Sequence, residues 1–425
     1  MVHSTQSTQL IEFSVTNYRS IKDTVTLSMI APGKIRKNTF YCETIDAHVL
    51  KSAVLFGANA SGKSNLHRAL RTLVDVLLGT KRLFSENDGH SIDPQPFLLD
   101  DISRESPTVF SLELVSNNTQ YIYVLALETK SETINSESLH VKYPDATSPS
   151  LIFSRSYNDF ELTNYIPLSR HKISRKYFKS VEARTPFVTT LSRLQLDTPT
   201  VASEFLDAVD ELTVINTLRD KERTFKALGD FLDYSDEVEH AVTDGLRNTF
   251  LRVLNDADTS IVALDVRTDD SGAKNIYVTH RYVTDDAKIH NVSFPLYEES
   301  EGTRKLLSMV VPIIKSTSTG TPLIADELDS TIHPVLLRYI IRKFNQASSS
   351  AQLFMTSHDV TLMDDRSLLT LDQIMFIERK KDQSSDLYCL SDFTNIRNEN
   401  RNLSKRYLAG EFGANPKIVQ DIEDA

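Results

Sequence analysis

Apolar and polar residues alternate through positions 10–15 (Leu-Ile-Glu-Phe-Ser-Val), and an apolar-polar pattern returns at 24–27. Together they predict two short strands joined by a turn. Residues 53–56 (Ala-Val-Leu-Phe) form an unbroken apolar run that stops at a glycine, the pattern of a buried strand. The period then lengthens. Leu66, Leu70, Leu73 and Leu77 fall on one helical face, and Gly79 marks a stop. Positions 109–114 and 121–127 read as the arms of a hairpin, with Asn117 and Asn118 near its turn.

From about 163 to 258 the strand signal fades. Phe205, Leu206, Val209 and Leu212 are helically spaced. So are Leu228, Phe231 and Leu232, then Val238, Val242 and Leu246. This predicts a helical insert without the sustained heptads of a long coiled coil. Strand signals return at 261–266 and 276–283. After that, helix alternates with buried strand, at 322–325, 352–355 and 374–377. Such alternation implies a mostly parallel sheet covered by helices. The expected fold class is therefore α/β, a mixed sheet with flanking helices and a helical insert. Its expected parts are 1–160, the insert at 161–260, and 261–425.

Composition narrows this picture. The 425 residues are 40% hydrophobic and 25% charged, the balance of a globular protein with more than one small core. No apolar run approaches the roughly 18 residues a membrane helix needs. The first nine residues lack a signal-peptide stretch. A cytoplasmic location and no membrane partner are expected. The net charge of −11 speaks against a surface that grips nucleic acid throughout, though a local basic face is compatible with it. Cys42 and Cys389 lie far apart and form no metal-binding spacing.

The candidate chemistry begins after the buried run. Gly57-Ala58-Asn59-Ala60-Ser61-Gly62-Lys63-Ser64 matches G-x-x-x-x-G-K-[ST], between a predicted strand and a predicted helix. Glycines let the backbone wrap phosphate oxygens, and successive N–H groups at a helix start supply positive charge. Asn59, Ala60, Ser61 and Gly62 form the loop. Lys63 adds a full charge at the β and γ phosphates, and Ser64 is placed to bind Mg²⁺. The implied cofactors are ATP and Mg²⁺. Further on, the apolar run at 322–325 ends in Asp326-Glu327. A strand tip beside a phosphate loop puts Asp326 near the metal and Glu327 where it can polarise attacking water. The run at 352–355 ends in Thr356-Ser357-His358-Asp359, which brings His358 to the same sheet edge, near a γ-phosphate. Ser300 is a sensible N-cap for a helix carrying Gly302 and Thr303 in its first turn, a second anion site.

The order phosphate loop, Ser-x-Gly helix start, Asp-Glu strand resembles the ATP-binding-cassette (ABC) ATPases, in particular their SMC, RecF and OLD-nuclease branch. By that resemblance Ser300-Glu301-Gly302-Thr303 is the signature motif, which closes over ATP held by a second subunit. Leu328-Asp329-Ser330 falls at the D-loop, and His358 is the switch histidine. Asn17-Tyr18-Arg19-Ser20 resembles the branch's N-[FY]-R-S turn, whose arginine, here Arg19, lies near nucleotide phosphate. Gln95 is the best match to the metal-binding glutamine of the Q-loop. The segment Arg406-Tyr407-Leu408-Ala409-Gly410-Glu411-Phe412-Gly413-Ala414 is similar to the end of a coiled-coil-free bacterial group known as "AAA family ATPase" proteins. Members of that group commonly look like components of anti-phage systems encoded beside a nuclease or toxin. The resemblance covers both ends of the chain and says little about the insert. No counterpart of the nuclease domain of OLD proteins is expected after residue 414.

The expectation is an ATPase that forms a homodimer or higher homo-oligomer around ATP and regulates a separately encoded nuclease or toxin. The alternatives are a RecF-like DNA-maintenance ATPase and a nucleotide-gated scaffold that sequesters a toxin. Arg170, His171, Lys172, Arg175, Lys176 and Lys179, with Tyr177 and Phe178 among them, form a basic cluster. It suits a solvated helix face, or contact with the backbone of DNA or RNA or with an acidic partner.

Overall fold

The structure, a computed structural model, describes residues 8–32, 36–84, 91–92, 94–156, 160–162, 183–193, 200–216, 220, 260–268, 274–330, 332–393, 396 and 402–415. In chain order the first strands are β1 (Gln9–Thr16), β2 (Val25–Ser28), β3 (Thr39–Cys42), β4 (Ala47–Leu50), β5 (Ser52–Phe56), β6 (Arg82–Leu83) and β7 (Ser91–Ile92). Next come β8 (Thr108–Ser116), β9 (Thr119–Glu128), β10 (Thr133–Lys142), β11 (Ser150–Ser156), β12 (Phe160–Leu162) and β13 (Thr213–Asn216). The series continues with β14 (Ile261–Thr268), β15 (Lys274–Val283), β16 (Ile289–Pro295) and β17 (Pro322–Asp326). It closes with β18 (Gln352–Thr356), β19 (Ile374–Arg379) and β20 (Ser385–Cys389).

One large sheet is antiparallel, in the order β12-β11-β10-β9-β8-β1-β2. Its hairpin β8–β9 turns at Asn117 and Asn118, both with positive φ, as a two-residue turn of this hand requires. The other large sheet runs β13-β17-β18-β5-β19-β20. It is parallel from β13 to β19, and β20 alone pairs antiparallel. β5, β17 and β18 are buried along their whole length, as a parallel strand covered on both faces must be. Helix Pro334–Gln346 makes the crossover from β17 to β18, and helix Lys63–Leu77 follows β5. The parallel strands therefore end at one edge. Gln352 links the two sheets: its side chain accepts from Leu10 N at 2.7 Å and donates to Leu10 O at 2.9 Å. A three-stranded antiparallel sheet, β14-β15-β16, packs Ile261, Leu264 and Val278 on helix Glu301–Thr319.

The stretch expected to be an insert is partly something else. Helices Phe187–Ser192 and Val201–Asp210 lie in the main core, where Phe187 meets Phe153 and Phe205 meets Tyr121 and Tyr123. The buried Glu137 carboxylate accepts the N–H groups of Phe187 and Val188, pinning that helix start to the sheet. β13 then joins the parallel sheet beside β17. The described residues of 183–193 and 200–216 thus pack with the two large sheets. The helical spacings at 228–246 and the basic cluster at 170–179 lie outside the described residues.

Candidate functional site

The phosphate loop leaves β5 at Gly57. A Cβ at Gly57 would come within 2.5 Å of Ile377 O, so only glycine lets the chain pass the neighbouring strand. Gly62 caps the following helix at φ +118°, and a Cβ there would meet Ser385 Oγ at 2.3 Å. Asn59 and Ala60 are exposed, whereas Ser61, Gly62 and Lys63 are buried. Lys63 Nζ donates to Gly57 O at 2.6 Å and Ala58 O at 3.0 Å. Burial pushes its ammonium below the usual range, while Asp326, Asp329 and Glu327 pull it back up. A bound polyphosphate would add to that pull.

The facing wall is the tip of β17. Ser64 Oγ lies 3.5 Å from Asp326 Oδ1. Asp326 is 1% exposed and accepts from Thr356 Oγ1 at 2.8 Å and Asn216 Nδ2 at 2.9 Å. Thr356 Oγ1 also accepts the Glu327 N–H at 2.8 Å. Glu327 sits at φ 56°, a left-handed conformation that costs a residue with a side chain about 1–2 kcal/mol. Arg19, Ser64, His67, Asn216, Asp326 and Glu327 line one cleft of about 700 Å³. His67, on the helix after the loop, is buried, and desolvation holds its imidazole below the usual range.

The Asn17-Tyr18-Arg19-Ser20 turn closes the other side, and each of its residues has a separate task. The Asn17 carboxamide donates to the carbonyls of Ser103 and Ser106 and accepts the Phe97 N–H. Tyr18 packs edge-on to Phe110 and reaches Thr72 on the loop's helix. Arg19 lines the cleft. Ser20 Oγ accepts from Asn65 Nδ2 and from Ser385 Oγ, and Ser385 N donates to Ser20 O. The helix after the phosphate loop and β20 are thereby tied to the turn. Arg19 Nε and Ser61 Oγ are buried without a hydrogen-bond partner. A phosphate oxygen in the cleft would offer either group an acceptor.

The remaining expected site residues lie around this cleft rather than in it. His358 is exposed just past β18, where its backbone N–H donates to Asp329 Oδ2 at 2.5 Å. Ser300 caps helix Glu301–Thr319, accepting Thr303 N at 3.1 Å, and Ser300, Gly302 and Thr303 do not line the cleft. Gln95 is exposed and contributes its carbonyl to Arg19 N at 2.9 Å. Its side chain is not part of the cleft wall. The carboxamide that the structure places beside Asp326 is another one. That group is Asn216, which sequence reasoning missed inside a predicted helical stretch. Ser385 was missed as well, and Thr356 and the 406–414 segment were noted in the sequence without these contacts. Ala414 O accepts the Ala58 N–H at 2.9 Å and the Tyr407 hydroxyl at 2.9 Å. The Tyr407 ring stacks on Phe376 of β19.

Among the described residues no group of three or more His, Cys, Asp or Glu converges to hold a metal by itself. Ser64 and Asp326 offer a hydroxyl and a carboxylate side by side. That donor set fits Mg²⁺, which takes few protein ligands and fills its other positions from water and phosphate. Among the described residues no helix is long and apolar enough to cross a membrane.

A family profile described as "AAA domain, putative AbiEii toxin, Type IV TA system" matches residues 52–364, most of the chain. No curated protein matches it. Similar solved structures include an SMC head bound to the C-winged helix domain of ScpA, at 11% identity and TM-score 0.47, covering 89% of this chain and 97% of that one. Another is the SMC head domain from Thermotoga maritima, at 11% identity and TM-score 0.40, with 90% and 98% covered. A third is the Smc head with an extended coiled coil bound to the C-terminal domain of ScpA, derived from Pyrococcus furiosus, at 11% identity and TM-score 0.36, with 90% and 96% covered.

Proposed function

The chain belongs to this AAA-domain family, and we propose that it binds and hydrolyses ATP as an ABC-type head that dimerises around the nucleotide. The observation that carries this reading is the meeting of Ser64, Asp326, Glu327 and Arg19 in one cleft beside the phosphate loop. Backbone N–H groups of residues 59–64 and the Lys63 ammonium bind the phosphates. Ser64 and Asp326 hold Mg²⁺, which when bound offsets phosphate charge, and Asn216 orients Asp326 and replaces Gln95 in that shell. Glu327 orients the attacking water and accepts its proton. Arg19 stabilises charge on the transferred phosphoryl group.

The exposed helix start at Ser300, Gly302 and Thr303 faces no nucleotide of its own chain in this reading. It completes the cleft of a second copy, and His358 senses the γ-phosphate at that junction. Light scattering of a Glu327→Gln variant tests this. Dimer is expected with ATP and Mg²⁺ and not without them, and Ser300→Arg should prevent it. An unchanged mass in both conditions would sink the dimer.

The family description names a putative toxin of a type IV toxin–antitoxin system. We infer from it that the ATP cycle regulates a separately encoded nuclease or toxin in anti-phage defence. Co-expression with the neighbouring gene is the test. Toxicity or phage resistance should change between wild type and Lys63→Ala, and equal outcomes would refute the role.

A further inference from the structure

Lys305 is 1% exposed, an ammonium buried near the start of helix Glu301–Thr319 among Leu306, Leu307 and Val310. Taking a lysine head group out of water is unfavourable, and an apolar side chain of similar volume would suit such a place at least as well for stability. What the charge does there is visible in its partners. Nζ donates to the Glu327 carbonyl at 3.2 Å and to the Ser330 hydroxyl. The peptide groups of Glu327 are thus held from both sides. Thr356 Oγ1 takes the N–H, and Lys305, together with the Ser330 N–H, serves the carbonyl. This clamp lies where the backbone is left-handed, so the direction of the Glu327 carboxylate depends on it.

The same ammonium reaches further. Ser330 closes the turn Leu328–Ser330, and Asp329 in that turn accepts Ser357 Oγ and the N–H groups of His358 and Asp359 through one oxygen, Oδ2. One side chain therefore connects the helix that starts at Ser300 with Glu327 and, through the turn, with the loop of His358.

We propose that Lys305 is a positioning residue that sets the Glu327 carboxylate according to the placement of the Ser300 helix start. Through it, engagement of that helix start by a second copy licenses hydrolysis in the chain's own cleft. The proposal rests on the reading of Glu327 as the group that activates water. Glu327 is the catalytic residue, and Lys305 acts through its backbone.

The test compares Lys305→Met with wild type for ATP turnover and for binding of a fluorescent ATP analogue. Turnover is expected to fall by at least about 100-fold, the low end of what a positioned base contributes. Analogue affinity should stay within about twofold, since the proposed role of Lys305 is to position Glu327 and not to bind phosphate. Lys305→Gln, which keeps a shorter donor, should fold and turn over at an intermediate rate. Leu307→Ala serves as the packing control on the same helix and should lose stability while keeping turnover. Wild-type turnover in Lys305→Met and Lys305→Gln overturns the proposal. So does an equal loss of turnover in Leu307→Ala. Wild-type turnover in Glu327→Gln instead overturns the reading of Glu327 itself, whatever Lys305 variants do.

Discussion

Replacing Thr356 by valine keeps its shape and removes one oxygen, and that oxygen makes two bonds inside the proposed active site. It donates to Asp326 Oδ1 at 2.8 Å and accepts the Glu327 N–H at 2.8 Å, with Thr356 1% exposed. Losing a hydrogen bond to a carboxylate costs about 1.5–3 kcal/mol, and leaving a buried N–H unpaired costs about 1–3 kcal/mol. Both losses fall on groups that must be in place during hydrolysis. If about 2 kcal/mol of the total is felt in the transition state, turnover drops about 30-fold. Thr356→Ser keeps both bonds and deletes one methyl group, worth about 1 kcal/mol of stability and nothing in the chemistry. Phosphate release at saturating ATP, alongside urea unfolding, separates the two effects. Wild-type turnover in Thr356→Val, or equal turnover in the serine and valine variants, would refute the reasoning.

Gly62→Ala places a Cβ 2.3 Å from Ser385 Oγ at φ +118°. Strain of about 1–3 kcal/mol at the helix start should weaken ATP binding roughly 5–150-fold, read by equilibrium titration. Asn216→Ala removes a donor from the Asp326 carboxylate. Turnover should fall about tenfold or more with little change in ATP affinity, whereas Gln95→Ala should leave turnover near wild type. Glu12 and Glu113 face each other across β1 and β8, and burial raises both carboxyls above the usual range, with Glu12 raising Glu113 further. A raised carboxyl makes the folded chain bind more protons than the unfolded chain, so stability falls as pH rises out of the carboxylate range. Glu113→Gln should therefore raise Tm at pH 7.5 and not at pH 4, as thermal denaturation would show.

The parts of the site that could be read from the chain are those set by local rules. Gly57 and Gly62 announce themselves through the spacing of G-x-x-x-x-G-K-S between a strand pattern and a helix pattern. Asp326-Glu327 is visible because it ends an apolar run of strand length. The buried strands β5, β17 and β18 follow from unbroken hydrophobicity, and the β8–β9 turn follows from two asparagines. What stayed hidden depends on which strands become neighbours. Thr213–Asn216 is four residues long, too short for a period, and becomes a strand only because β17 offers an edge. That strand brings Asn216 to the Asp326 carboxylate. Ser20 and Ser385 meet across more than 360 positions through a single hydrogen-bond cluster that no spacing encodes. Lys305 reads as an ordinary polar residue on a helix until its burial against the turn at Leu328–Ser330 is seen.

The contact between Ala58 and Ala414 bears on how the chain is made. β5, which launches the phosphate loop, has β18 and β19 as its strand neighbours, so both of its partners are translated some 300 residues after it. The first loop N–H finds its acceptor later still, at Ala414. Pairings of such separation form late in folding, because loop closure must precede any gain from the contact. A nascent chain that carries the entire G-x-x-x-x-G-K-S motif outside the ribosome should therefore not retain ATP until the β18–β19 region and the 402–415 segment have followed it. On the proposed reading, ATP would then stabilise only chains whose phosphate loop is complete. Chains arrested short of residue 414 would drift toward aggregation or proteolysis instead of competing with finished molecules for nucleotide.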